Sequence, residues 1–151
     1  MIRAEITGVD DIKARLQGLP DKLRAELVRT ITEDAFSLQA HIVTDKLSGQ
    51  VLHRRTGNLA SSINTKIGGS ATSVEGTVGT NVGYGRIHEL GGTFRIPEHE
   101  RRINRGGIQD SVLVRAHSAT FPKRSFLASS LQDMSTRIKA DLNAAVARGL
   151  Q

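Results

Sequence analysis

Ile2, Ala4 and Ile6 alternate with Arg3, Glu5 and Thr7, the period of a short half-buried strand that Gly8 closes. Val9-Asp10-Asp11-Ile12 then offers Asp10 as the cap of a short helix bearing Ile12 and Leu16, which Gly18 and Pro20 end. From Asp21 to Leu47 the period lengthens. Leu23, Leu27, Ile31, Ala35, Leu38, Ile42 and Leu47 recur mostly at helical steps, with Arg24, Glu26, Arg29, Glu33 and Asp34 between them. This predicts a long amphipathic helix. Each large apolar side chain on it is worth about 1.5–3 kcal/mol when fully buried, so the stripe has to meet a sheet or another helix.

Gly49 ends the helical region, and His53-Arg54-Arg55-Thr56-Gly57-Asn58 reads as a polar, basic turn. Thr56 or Asn58 is placed to cap a short helical turn through Leu59 and Ser62. The period then changes to two. Ile63, Thr65 and Ile67, a turn at Gly68-Gly69-Ser70, and Thr72, Val74, Gly76 and Val78 predict two strands of a hairpin. With the first strand they make a sheet of at least three strands, one face of which the long helix covers. Tyr84 to Leu90 suits one or two helical turns before Gly91-Gly92. Residues 93–118 set isolated Ile96, Ile103 and Ile108 among charged residues and predict an extended arm or long hairpin, with Ile108 and Val112-Leu113-Val114 on its returning strand. Phe126, Leu127, Leu131, Met134, Ile138, Leu142 and Val146 predict a second long helix, closed by Gly149. The expected fold class is α+β: two long helices packed against a small antiparallel or mixed β-sheet, in one structural domain spanning 1–151, with 93–118 as its arm.

Composition changes this picture little. With 151 residues, 38% hydrophobic and 24% charged, one core is the expectation. Zero cysteines exclude disulfides and thiolate metal sites and suit folding in a reducing cytoplasm. The N-terminus has no basic segment followed by an apolar one, and no apolar run reaches membrane-spanning length, so neither secretion nor a membrane partner is expected. Charge is more informative. The net charge is +6, and its excess sits late: residues 93–124 carry seven Lys/Arg against three Asp/Glu, while residues 1–50 carry seven against eight. That distribution points to a basic face or loop.

Candidate chemistry is sparse. Gly83-Tyr84-Gly85 lacks the Gly-x-Gly-x-x-Gly spacing of a phosphate cradle, and its glycines read better as turns and strand ends. His41, His53, His88, His99 and His117 show no metal-ligand spacing. His88-Glu89 is the one pair with an acid-base reading, and a polar contact within the fold or with a neighbour explains it better. Ser61, Ser62, Ser125, Ser129 and Ser130 lack an elbow or triad pattern. No catalytic residue, no cofactor and no metal are therefore expected, and the protein is not read as an enzyme. Arg54, Arg55, Arg95, Arg101, Arg102, Arg105, Arg115, Lys123 and Arg124 are candidates for subunit contacts or for non-specific contact with DNA. With no Trp, one Tyr and four Phe there are few platforms on which single-stranded bases could stack. Phe121, Pro122, Phe126 and Leu127 read as core packing at the start of the last helix, with subunit contact as the other use.

Three stretches carry a family resemblance. Arg55-Thr56-Gly57-Asn58-Leu59-Ala60-Ser61-Ser62-Ile63 resembles an R-T-G-x-L-x-x-S-I segment. Val78 to Gly91, with Gly79, Thr80, Tyr84, Glu89 and Gly91, resembles V-G-T-x-x-x-Y-A-x-x-x-E-x-G. Phe121-Pro122-Lys123-Arg124-Ser125-Phe126-Leu127 resembles the P-x-R-P-F-L lead-in to a final helix. In this order they are similar to the tail-component family of long-tailed bacteriophages, also called tail completion or neck proteins, and to virion morphogenesis proteins of Mu-like phages. Departures are Gly85 where Ala is usual, Leu90 where Phe is common, and Ser125 where Pro often stands. The resemblance implies a virion structural protein at the head-tail junction, made in the host cytoplasm during assembly. It implies identical subunits in a sixfold ring around the DNA path, neighbouring connector and tail tube or terminator proteins, and passing contact with packaged DNA. The competing expectation is a basic DNA-binding accessory phage protein that is absent from the particle.

Overall fold

The computed structural model describes residues 2–4, 21–70 and 73–150, with the backbone alone for residues 2–4, 105 and 108. The amphipathic stripe forms helix α1, Asp21–Thr44, followed by a 3-10 turn at Lys46–Ser48 that brings Leu47 into the core. The second stripe forms α4, Leu127–Gly149. The two helices pack antiparallel. Leu23, near the start of α1, lies where a side chain on Gly149 would sit, while Lys46 Nζ, just past the end of α1, meets Asp133 Oδ2 at 2.6 Å. Leu23, Leu27, Leu38, Ile42, Met134, Ile138 and Ala145 fill the seam. Among the described residues no helix is long and apolar enough to cross a membrane.

The period-two segments pair as expected. Strands β1 (Ile2–Ala4), β2 (Ile63–Ser70) and β3 (Ser73–Thr80) form an antiparallel sheet of order β1-β3-β2. α1 covers one face: a side chain on Gly76 would strike Ile31 and Ala35, so the absent Cβ is what allows helix and sheet to approach. One detail differs from expectation. Gly68-Gly69-Ser70 is not the turn but the end of β2, paired with Glu75, Val74 and Ser73, because the ladder runs on to the Ser70–Ser73 pair. The proposed helix around Ile12 and Leu16 lies outside the described residues.

Two short helices link the sheet to the rest: α2, Asn58–Ser62, and α3, Gly83–Leu90. The cap position of α2 is Gly57 at φ +82°; Asn58 begins the helix, and its free N–H donates to Thr56 Oγ1 at 3.4 Å, so of the two expected acceptors Thr56 takes the role from one residue further out. Residues 92–121 form the arm, a two-stranded ribbon in two antiparallel segments. β4 (Gly92–Ile96) pairs with β7 (His117–Phe121), and β5 (His99–Arg105) pairs with β6 (Ile108–Val114). Gly106 and Gly107, both at positive φ, make the two-residue tip. The expectation of a long hairpin with Val112-Leu113-Val114 on the returning strand holds, and the paired region extends past 93–118 at both ends.

One buried polar contact on the α1–α4 seam is unbalanced. Asp34 is only 5% exposed and its Oδ2 has no hydrogen-bond partner. Burial, then the charge of Asp141, push its carboxyl up from 3.8 to about 6. The fold thus disfavours the charged carboxylate and favours the protonated acid. Stability contributed by Asp34 is fully present below pH 3.8 and is lost as pH rises from there through about 6. Asp34→Asn, which removes the buried ionisable group beside Asp141, is expected to raise stability by about 1 kcal/mol at roughly pH 8, the full shift being discounted for screening. Thermal melting of both proteins at acid and alkaline pH checks this, and a lower melting temperature for the variant at alkaline pH would refute it.

Candidate functional site at the root of the arm

Helix α4 begins without a capping side chain of its own, because its cap position is Phe126, which is wholly buried in the core. The first N–H groups of a helix have no intrahelical acceptor and attract negative charge. Glu89, from α3, supplies both. Its Oε2 accepts from the N–H groups of Phe126 (2.8 Å) and Leu127 (2.9 Å), and its Oε1 from Ala128 N–H (3.0 Å) and the Ser125 hydroxyl (2.6 Å). The carboxylate is buried and occupied by four donors. It has no geometry for proton transfer with His88, whose ring lies edge-on to Tyr84 at 6.3 Å. Burial, then the charge of Arg124, hold the His88 imidazole below its ordinary pKa.

Two further contacts tighten the same corner. Arg124 N–H donates to the His88 carbonyl at 2.7 Å. Gly91, at φ +66°, lies so close to Lys123 that a Cβ would stand 2.6 Å from its backbone nitrogen. Residues 88–91 and 123–128 are thereby clamped together, and the arm leaves between them. Behind the clamp, Gly85 meets Thr80, Leu59 and Phe126: a Cβ there would fall 2.9 Å from Thr80 Cγ2 and 3.2 Å from Leu59 Cδ1. Thr80 is buried, its hydroxyl 2.6 Å from that of Ser62, and it accepts from Val82 N–H at 3.1 Å. Leu59, Thr80, Gly85, Glu89, Gly91, Phe126 and Leu127, drawn from all three resemblance segments, therefore form one junction. A profile of the phage virion morphogenesis family matches residues 14–147, nearly the whole chain. The chain belongs to the phage virion morphogenesis family. No curated protein and no solved structure matches it.

For this virion morphogenesis protein the junction is a structural one. Gly79 is buried within the sheet between Arg3 and Asn64; Tyr84 is exposed, Pro122 is exposed, and Phe126 with Leu127 is core. The five serines are spread over hydrogen bonds of the fold: Ser61 to Asn58 O, Ser62 to Leu59 O, Ser125 to Glu89, Ser129 to Ser125 O and Ser130 to Phe126 O. Among the described residues no cluster of three or more His, Asp or Glu could hold a metal. The basic candidates are spread over several elements. Arg54 and Arg55 precede α2, and Lys123 and Arg124 sit at the arm's root. Arg95 is on β4, and Arg101 and Arg102, adjacent on β5, point to opposite sides of the ribbon. All seven are exposed; for Arg105 the backbone pairs with Ile108.

Residues 34, 62 and 85 were not singled out by the sequence as packing or bonding positions of this kind. A signal existed for Glu89: a helix whose cap position is Phe needs an acceptor from elsewhere, and the nearest acid upstream that is not on the arm is Glu89.

Proposed function

We propose that this protein is a non-enzymatic structural subunit of the head-tail junction, a tail completion, terminator or neck component that assembles as a ring around the DNA path. The arm carries this reading. Along β5–β6 the ribbon pairs only with itself among the described strands, and it holds Val112 44% and Leu113 59% exposed. Two strands without a covering layer gain little from their own fold, and exposed apolar side chains on them suit burial against another molecule. An arm rooted in a rigid clamp extends the reach of a small domain without enlarging its core, and repeated contacts between identical subunits close into rings when the rotation allows. The ring stands beside connector and tail tube or terminator proteins. DNA contact is secondary, since the arginines divide between both sides of the ribbon.

Stoichiometric presence in purified virions, measured by mass spectrometry and followed by imaging of the junction, is the expected result. Replacing residues 97–116 by an Asn-Gly turn joins the register partners Ile96 and His117. The shortened chain is expected to remain folded, shown by an unchanged melting temperature, and to be lost from particles. Infectious particles that contain the shortened chain would refute this function. Absence of the intact chain from particles, with steeply salt-dependent DNA binding, would favour a DNA-binding accessory protein.

A further inference from the structure

We infer that the arm of one copy docks by strand addition on the free edge of β2 in the next copy, β6 lying beside β2. The inference rests on the ring reading above and names both halves of its contact. β2 is the outer strand of the order β1-β3-β2, so among the described strands it is paired on one side only. Gln39 Nε2 donates to the Ile63 carbonyl and covers that end, leaving residues 65–69 as the open stretch. Such edges are usually blunted by proline, charge or a covering element. Here Lys66 is the one charge on β2, and apolar surface lies next to it. Ile67 is 37% exposed and Phe36, which follows Ala35 on α1, is 56% exposed. Ile67 is the register partner of Gly76 on β3, where an added Cβ would meet Ile31 and Ala35, so Ile67 belongs to the helix-facing side of the sheet.

β6 fits this edge better than β5. β5 reads His-Glu-Arg-Arg-Ile-Asn-Arg, whereas β6 reads Ile-Gln-Asp-Ser-Val-Leu-Val with Asp110 as its single charge. The lone Lys66 of one strand and the lone Asp110 of the other are both exposed and of opposite sign. Asp110 Oδ1 accepts from Ser111 N–H at 2.8 Å. Parity adds a second match. Side chains alternate along a strand, so if Lys66 and Asp110 share a face, Leu113 falls on the other, the face of Ile67. Opposite charges and exposed apolar groups are thus brought together by one placement. The two halves are different surfaces of one chain, so each copy still offers an unused half to another, the heterologous arrangement that builds rings.

Charge reversal tests the pairing in phage particles. Lys66→Glu and Asp110→Lys are each expected to weaken assembly, by roughly fivefold per interface, and the double variant to restore it. The chain has no cysteine, so Lys66→Cys combined with Asp110→Cys or Val112→Cys gives a direct readout without background. Oxidation of particles carrying one of these pairs is expected to yield a ladder of disulfide-linked copies, which the single-cysteine variants lack. An intrachain disulfide only, or particles that hold the protein at full stoichiometry without a ladder and without charge rescue, would overturn the docking and leave the ring reading standing. Absence of the unmodified chain from particles would sink both.

Discussion

Glu89→Ala is expected to cost about 3–5 kcal/mol of folding stability, the range for breaking a buried, hydrogen-bonded charge site by removing one partner. The variant leaves the N–H groups of Phe126, Leu127 and Ala128 and the hydroxyl of Ser125 without their acceptor. Each buried donor left bare costs about 1–3 kcal/mol, and the positive end of α4 loses the charge that faces it. Part of this is offset because a carboxylate no longer has to be kept out of water. Glu89→Gln keeps the shape and one acceptor but turns an amide toward a donor, so a loss intermediate between wild type and alanine is expected. Urea unfolding of the three proteins measures this directly. A loss below about 1 kcal/mol for Glu89→Ala would mean that water replaces the carboxylate without cost, and the clamp would lose its anchor.

Gly91→Ala is expected to be the next most damaging single change, at about 2–4 kcal/mol, from backbone strain and overlap together. Gly91 has φ 66° and ψ −170°, a conformation left almost entirely to glycine, and its missing Cβ is the space occupied by the Lys123 backbone. Relief requires residues 91 and 123 to separate, which strains the bond from Arg124 N–H to the His88 carbonyl. Gly83→Ala is the control at the opposite end of α3, where nothing stands within 4 Å of the added Cβ, so a neutral or slightly favourable change is expected. Equal stabilities for the two variants would show that close approach at the clamp is unimportant. Because both ends of the arm pass through this point, Gly91→Ala is also expected to redirect the arm and reduce incorporation into particles beyond what its stability loss explains.

Both predictions concern residues that the sequence marked on other grounds, Glu89 beside His88 and Gly91 at the end of a helical segment, and that the resemblance marked again. Glu89 and Gly91 were legible as motif positions, but the motif did not carry the reason for them. The motif showed that an acid and a glycine follow Tyr84 at fixed steps; it did not show that the acid caps a helix whose first residue is Leu127, or that the glycine lies against Lys123. His88-Glu89 illustrates the limit in the other direction. Adjacent in the chain, the two side chains leave α3 in different directions, one to the core and one to Tyr84, so their chemistry is not shared. Asp34 looked like one more polar position between apolar ones on a helix. It is buried because α4 crosses at that point, which no property of α1 reveals.

The sequence by itself determined the local elements of this protein: two long stripes of period 3.6, a pair of period-two strands, a glycine-tipped ribbon and the order of three family segments. These follow from side-chain spacing over neighbouring residues, and short-range sterics and burial of one face set them. Only the tertiary structure decided that the three segments meet around Gly85, that Glu89 serves a helix 36 to 39 residues further on, and that the outer edge of β2 stays uncovered among the described strands. Such pairings depend on where distant pieces of chain stop when the core closes. A hydrogen bond of 2.8 Å carries no periodic trace along the chain that makes it.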